Sequence, residues 1–132
     1  MAKATPVKLL SFTLPNKIGQ LAAVTELLAQ GNVNITALRA AESGAHAECV
    51  LATKNIGKAK KALASLGVEM KELDALCIQV PNKAGRFQKV ARKLAEAGVN
   101  VQAAWGTAFT GKTASCIMVT SDDKKAIAAL KK

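Results

Sequence analysis

Aromatic side chains are scarce in this 132-residue chain, which has three Phe, one Trp and no Tyr. That argues against recognition by base stacking, which needs aromatic platforms on exposed strands. Histidine is scarcer still. The single one, His46, stands beside a turn with no nucleophile or acid grouped around it, so it reads as a hairpin residue and not as a general base. The three cysteines, Cys49, Cys77 and Cys116, are odd in number and far apart, which suits a reducing cytoplasm better than a disulfide framework. No stretch reaches the roughly 18 apolar residues of a membrane span, and the opening residues lack the apolar run of a signal sequence. Acidic residues number only nine and form no spaced pair that recurs along the chain. Neither catalytic residues nor a metal or cofactor site is therefore expected.

Against nine acids stand nineteen Lys and Arg, a formal charge of +10 that raises the question of an anionic partner. A basic nucleic-acid-associated protein using Lys54–Lys61, Arg86–Lys93 and the terminal lysines is one reading of that charge. Only three of the nineteen are arginine. Lysine without interleaved arginine and aromatics is the composition of a solvated surface, and it makes nucleic acid the weaker reading.

What the chain does have is an internal repeat. Pro15-Asn16-Lys17-Ile18-Gly19 returns as Pro81-Asn82-Lys83-Ala84-Gly85, an offset of 66 residues. Residues 7–38 match 73–104 at 11 of 32 positions. One extra residue, placed near Trp105, shifts the register to 67, and 39–65 then match 106–132 at 9 of 27. The copies are too few and too long for a solenoid, so each is read as a compact unit, 1–72 and 73–132.

In the first copy, Val7 to Leu14 puts Leu10, Phe12 and Leu14 on one face of a strand. From Gly19 to Gln30, Leu21, Val24 and Leu28, with Ile18 just before them, recur at helical spacing as one buried stripe. Gly31-Asn32 supplies a left-handed stop, Asn32 aligning with Gly98. Asn34–Ala41 and Ala47–Thr53 flank the turn pair Ser43-Gly44 as a hairpin. Asn55 caps a second helix lined by Ile56, Ala59, Leu63 and Leu66, and Val68 to Glu72 forms a short fourth strand. The fold class is α+β: two ferredoxin-like βαββαβ modules, each an antiparallel sheet with helices on one face. The second copy, from Ala75 to Leu130, ends before any counterpart of the fourth strand, leaving an edge that something must cover.

A strand ending in Pro-Asn-Lys-x-Gly, a helix, and then Val33-Asn34-Ile35 or Val99-Asn100-Val101 opening the next strand resembles the ACT pattern. Both copies carry it. The resemblance implies a non-catalytic regulatory module that binds a free amino acid at the interface between two modules. It implies a homodimer, and either a free-standing sensor or a regulatory subunit of a biosynthetic enzyme such as an acetolactate synthase. By resemblance the ligand residues are Asn16, Ile18, Gly19, Asn34 and Ile35, with Asn82, Ala84, Gly85, Asn100 and Val101.

The chemistry is consistent with this. The first amides of a helix lack internal partners and, with the helix dipole, favour a carboxylate. Gly19 and Gly85 have no Cβ to obstruct it. Asn16 and Asn82 can donate to a carboxylate or accept from an ammonium group. Plainer roles compete: Asn16 and Asn82 as helix caps, the glycines as turn residues, Asn34 and Asn100 as loop ties. Ile18 against Ala84 would make the two sites unequal. Trp105 is read as core or interface packing ahead of ligand contact.

Overall fold

The computed structural model describes residues 2–107 and 111–132, which form six antiparallel strands and four α-helices. In order these are β1 (Lys3–Pro15), α1 (Gln20–Gln30), β2 (Ala37–Ser43), β3 (His46–Ala52), α2 (Ile56–Leu63), β4 (Met70–Pro81), α3 (Arg86–Glu96), β5 (Val101–Thr107), β6 (Thr113–Thr120) and α4 (Asp123–Leu130). They divide into two compact units, Lys8–Leu73 and Asp74–Lys132, the latter together with Met1–Val7.

In the Lys8–Leu73 unit, β3 pairs with both β1 and β2, matching Phe12 to Cys49 and Leu38 to Leu51. Alternate residues of β1 and β3 face the helices, so Leu10, Phe12, Leu14, Cys49 and Leu51 meet Val24, Leu28, Ala59 and Leu63 in one core. Ile18 does not join that stripe. It is fully exposed, and Leu21 is half exposed, because α1 begins only at Gln20 and its core-facing row starts at Val24.

Both long helices end in the same way. Asn32, at φ 56°, takes the left-handed position after α1; its N–H donates to Ala29 O and that of Val33 to Leu28 O, a Schellman ending. Gly98, at φ 74°, repeats it with donations to Ala95 O and from Val99 to Leu94 O. Buried Val33 and Val99 then pack in the same cores as Leu28 and Leu94, closing the hydrophobic contact this motif favours. Asn55 and Asp122 cap α2 and α4, accepting from the amides of Lys58 and Lys125 at 3.0 and 3.1 Å.

In the other unit β6 pairs with β4 and β5, matching Ile78 to Cys116 and Ala104 to Met118. The offset of 66 holds through Thr107, which pairs with Ser115 as Ala41 pairs with Glu48. The extra residue of the second copy, read as near Trp105, therefore lies after Thr107. A hairpin end absorbs an insertion without flipping the strand's two faces, which a shift inside a paired strand would do.

Among the described residues no strand follows α4, and β4 is instead flanked on its other side by β1. β1 runs 13 residues and β4 runs 12, each about twice an ordinary strand. The first residues of β1 belong to the C-terminal unit, where Ala2 and Ala4 pack on the core of Leu76, Val90, Leu94, Ala126 and Leu130. Met70, at the start of β4, packs on the core of the Lys8–Leu73 unit. Each long strand thus contributes to both units.

Candidate functional site

The two repeated turns have one conformation. Gly19 (φ 90°, ψ −5°) and Gly85 (φ 83°, ψ −10°) are the N-caps of α1 and α3, and neither helix receives a side-chain cap. Asn16 and Asn82 do a different job. The Asn16 amide donates to Ala45 O at 2.9 Å, and its side-chain Nδ2 to Gly44 O at 3.2 Å and Glu42 Oε2 at 2.8 Å. Asn82 donates from its amide to Lys112 O and from Nδ2 to Gly111 O, both at 2.8 Å. Each asparagine ties its turn to the tip of its own hairpin, and its side-chain nitrogen is committed there. Lys17 N to Pro15 O at 3.0 Å and Lys83 N to Pro81 O at 2.8 Å tighten the turn, leaving Ile18, Gly19, Ala84 and Gly85 exposed at its outer edge.

The second set of residues lies elsewhere. Asn34 and Ile35 precede β2, where Asn34 O accepts from Thr53 Oγ1 at 2.9 Å and Ile35 packs partly into the core. Asn100 is held by Ser121, amide to Oγ at 2.9 Å with the Ser121 amide donating back to Asn100 O at 2.9 Å, and exposed Val101 opens β5. These segments follow the C-terminal ends of α1 and α3, each an 11-residue helix spanning about 16 Å, whereas the glycine turns sit at the N-terminal ends. Within one module the structure does not bring the two sets together.

At the turn end of the Asp74–Lys132 unit there is a cavity of about 350 Å³. Ile78 and Val80 from β4, Phe87 from the first turn of α3, Ala104 and Gly106 from β5, and Cys116 from β6 line it. Val80 precedes the Pro81–Gly85 turn and Phe87 follows it, so the cavity is flanked by the turn's own neighbours. Ser115 is the one polar side chain in the lining besides the Trp105 indole. Burial pushes the Cys116 thiol up from its ordinary pKa, with nearby Cys77 adding to the effect against a hydrogen bond from the Trp105 backbone. Trp105, half-buried, also lines the cavity, and its indole Nε1 is buried without a hydrogen-bond partner. The repeat did not reveal this cavity because it depends on differences between the copies rather than on what they share. Among the described residues no three His, Cys, Asp or Glu side chains gather as a metal site would need, and no helix is long and apolar enough to cross a membrane.

No protein-family model and no curated protein matches the sequence. Among solved structures, protein BT0572 from Bacteroides thetaiotaomicron is 33% identical, over 97% of this chain and 88% of that one, with a TM-score of 0.88. The chain belongs to the BT0572 family. The fold extends further: the regulatory subunit of aspartate kinase from Thermus thermophilus superposes with a TM-score of 0.72 at 13% identity, over 99% of this chain and 95% of that one. Aspartate kinase from Synechocystis does so at 0.74 and 18%, this chain spanning 26% of the enzyme's length. This member of the BT0572 family therefore shares its α+β fold with aspartate kinase regulatory subunits.

Proposed function

We propose that this BT0572-family protein is a non-catalytic, tandem ACT-domain regulator that binds a free amino acid at its glycine turns. The observation that carries the reading is the repeated turn itself. Twice, a glycine at positive φ opens an 11-residue helix with no side-chain cap, exposed to solvent and braced from behind by an asparagine bound to the hairpin. The first amide of each helix turns back to a turn carbonyl, Gln20 N to Lys17 O at 3.3 Å and Arg86 N to Lys83 O at 3.2 Å, so it is the next amides, with the positive end of the helix dipole, that suit a carboxylate, and a missing Cβ lets it approach. Asn34 with Ile35, and Asn100 with Val101, lie a helix length from the turn of their own module, so they would reach a ligand there only from another module, which pairing with a second chain would supply. A homodimer closed by ligand follows, and binding would favour the closed arrangement only as far as it is tighter there.

The likeness in fold to a regulatory subunit of aspartate kinase favours a second reading at the level of partners, in which the same binding event is transmitted to a separate catalytic chain. Calorimetric titration with the twenty common amino acids tests the binding claim, and sedimentation with and without the binder tests closure. Heat from one or a few amino acids supports the proposal. Silence from all twenty refutes it.

A further inference from the structure

We infer that the cavity of the Asp74–Lys132 unit receives the side chain of the amino acid, that this side chain is large and apolar, and that the Lys8–Leu73 unit has no equivalent receptor. This rests on the amino-acid reading above and narrows it to one ligand class and one unit.

Strand register makes the comparison between units direct. Phe12 pairs with Cys49 as Ile78 pairs with Cys116, Leu38 with Leu51 as Ala104 with Met118, and Ala40 with Cys49 as Gly106 with Cys116. Where the first unit places Phe12 and Leu38 on the helix-facing side of its sheet, the second places Ile78 and Ala104, six side-chain carbons fewer; Gly106 adds no room, since a Cβ there would meet Ser115 O at 2.4 Å. In the first unit Phe12 is buried and Leu38 packs against the core, filling the equivalent space. In the second, the space is the cavity of about 350 Å³, at the lower end of the size range of small-molecule sites.

Its position and chemistry select the occupant. The cavity lies between Val80 and Phe87, the residues on either side of the Pro81–Gly85 turn, so a molecule whose carboxylate met the first amides of α3 would have its side chain beside this opening. The lining has no acid and no base to pair a charged side chain, whose desolvation would go uncompensated. Leucine, isoleucine, methionine and phenylalanine have the matching chemistry; aspartate and lysine do not. Phe87, 44% exposed, would be covered by such a side chain.

Trp105 provides the readout, since it is the chain's one tryptophan and lines the cavity. Titration of the full chain with leucine, isoleucine, methionine, phenylalanine, aspartate and lysine, followed by tryptophan emission and by calorimetry, should give saturable emission changes with the apolar set only, at one site per chain. Ala104→Leu restores the filling residue of the first unit and should weaken binding by about tenfold or more. Phe87→Ala, at an exposed position with little bearing on folding, should weaken it severalfold, and circular dichroism checks that both variants are folded. Heat from an amino acid with no change in Trp105 emission, together with unaltered affinity in folded Ala104→Leu and Phe87→Ala, would overturn this inference and leave the general amino-acid reading standing. Absence of heat from every amino acid would overturn both.

Discussion

Replacing Gly85 by alanine separates a turn that binds from a turn that only bends. Gly85 sits at φ 83°, and a Cβ built on it meets nothing within 4 Å. Gly98, at φ 74° after α3, is in the same circumstance, again with nothing within 4 Å. Neither alanine would clash, so the cost in both is the left-handed backbone, about 1–2 kcal/mol. For a unit of this size each kcal/mol lowers Tm by about 4–8 °C. Gly85→Ala and Gly98→Ala should therefore lose similar stability in thermal unfolding followed by Trp105 emission. Their binding should diverge. The Gly85 methyl stands where a carboxylate must approach the first amides of α3, whereas the Gly98 methyl stands at the other end of the helix. Calorimetry should show binding abolished or weakened more than tenfold in Gly85→Ala and preserved in Gly98→Ala, beyond any loss explained by unfolding. Equal affinity in the two variants would refute the assignment of the turn as a carboxylate site, whatever their stabilities.

Removal of residues 1–7 should destabilise the Asp74–Lys132 unit selectively, because it strips Ala2 and Ala4 from that core and bares the edge of β4; Trp105 emission should then report an unfolding transition well below that seen by far-UV circular dichroism. Leu94→Ala, at a fully buried position, should cost about 2–5 kcal/mol in denaturant unfolding. Asn55→Ala and Asp122→Ala should each cost about 1 kcal/mol through loss of a helix cap. All three thiols have pKa values raised by burial. The neutral thiol is thus favoured in the folded state, so their contribution to stability is intact below the ordinary thiol pKa and is lost as pH climbs through the raised values. Stability should decline on the alkaline side, and thiol-directed reagents should react slowly until denaturant is added.

Much of the local architecture is written in adjacent residues. The 66-residue repeat, the left-handed stop at Asn32 and Gly98, the cap at Asn55 and the hairpin at Ser43-Gly44 depend on side-chain period and backbone freedom within a few positions, and a linear reading reaches them. Ile18 shows where that reading stops: its spacing fits the apolar row of α1, yet the left-handed Gly19 turns the chain before the helix begins and leaves it in solvent. Asn16 and Asn82 have the chemistry of a cap or a ligand contact, and only the return of the hairpin to the turn commits their side-chain nitrogens to Gly44 and Gly111. The missing last strand was visible as an absence, but its replacement by the start of β1 required two segments at opposite ends of the chain to meet. The cavity beside Phe87 is likewise a tertiary fact. No single residue marks it, because it is the volume that Ile78 and Ala104 fail to fill once three strands and a helix have been brought together.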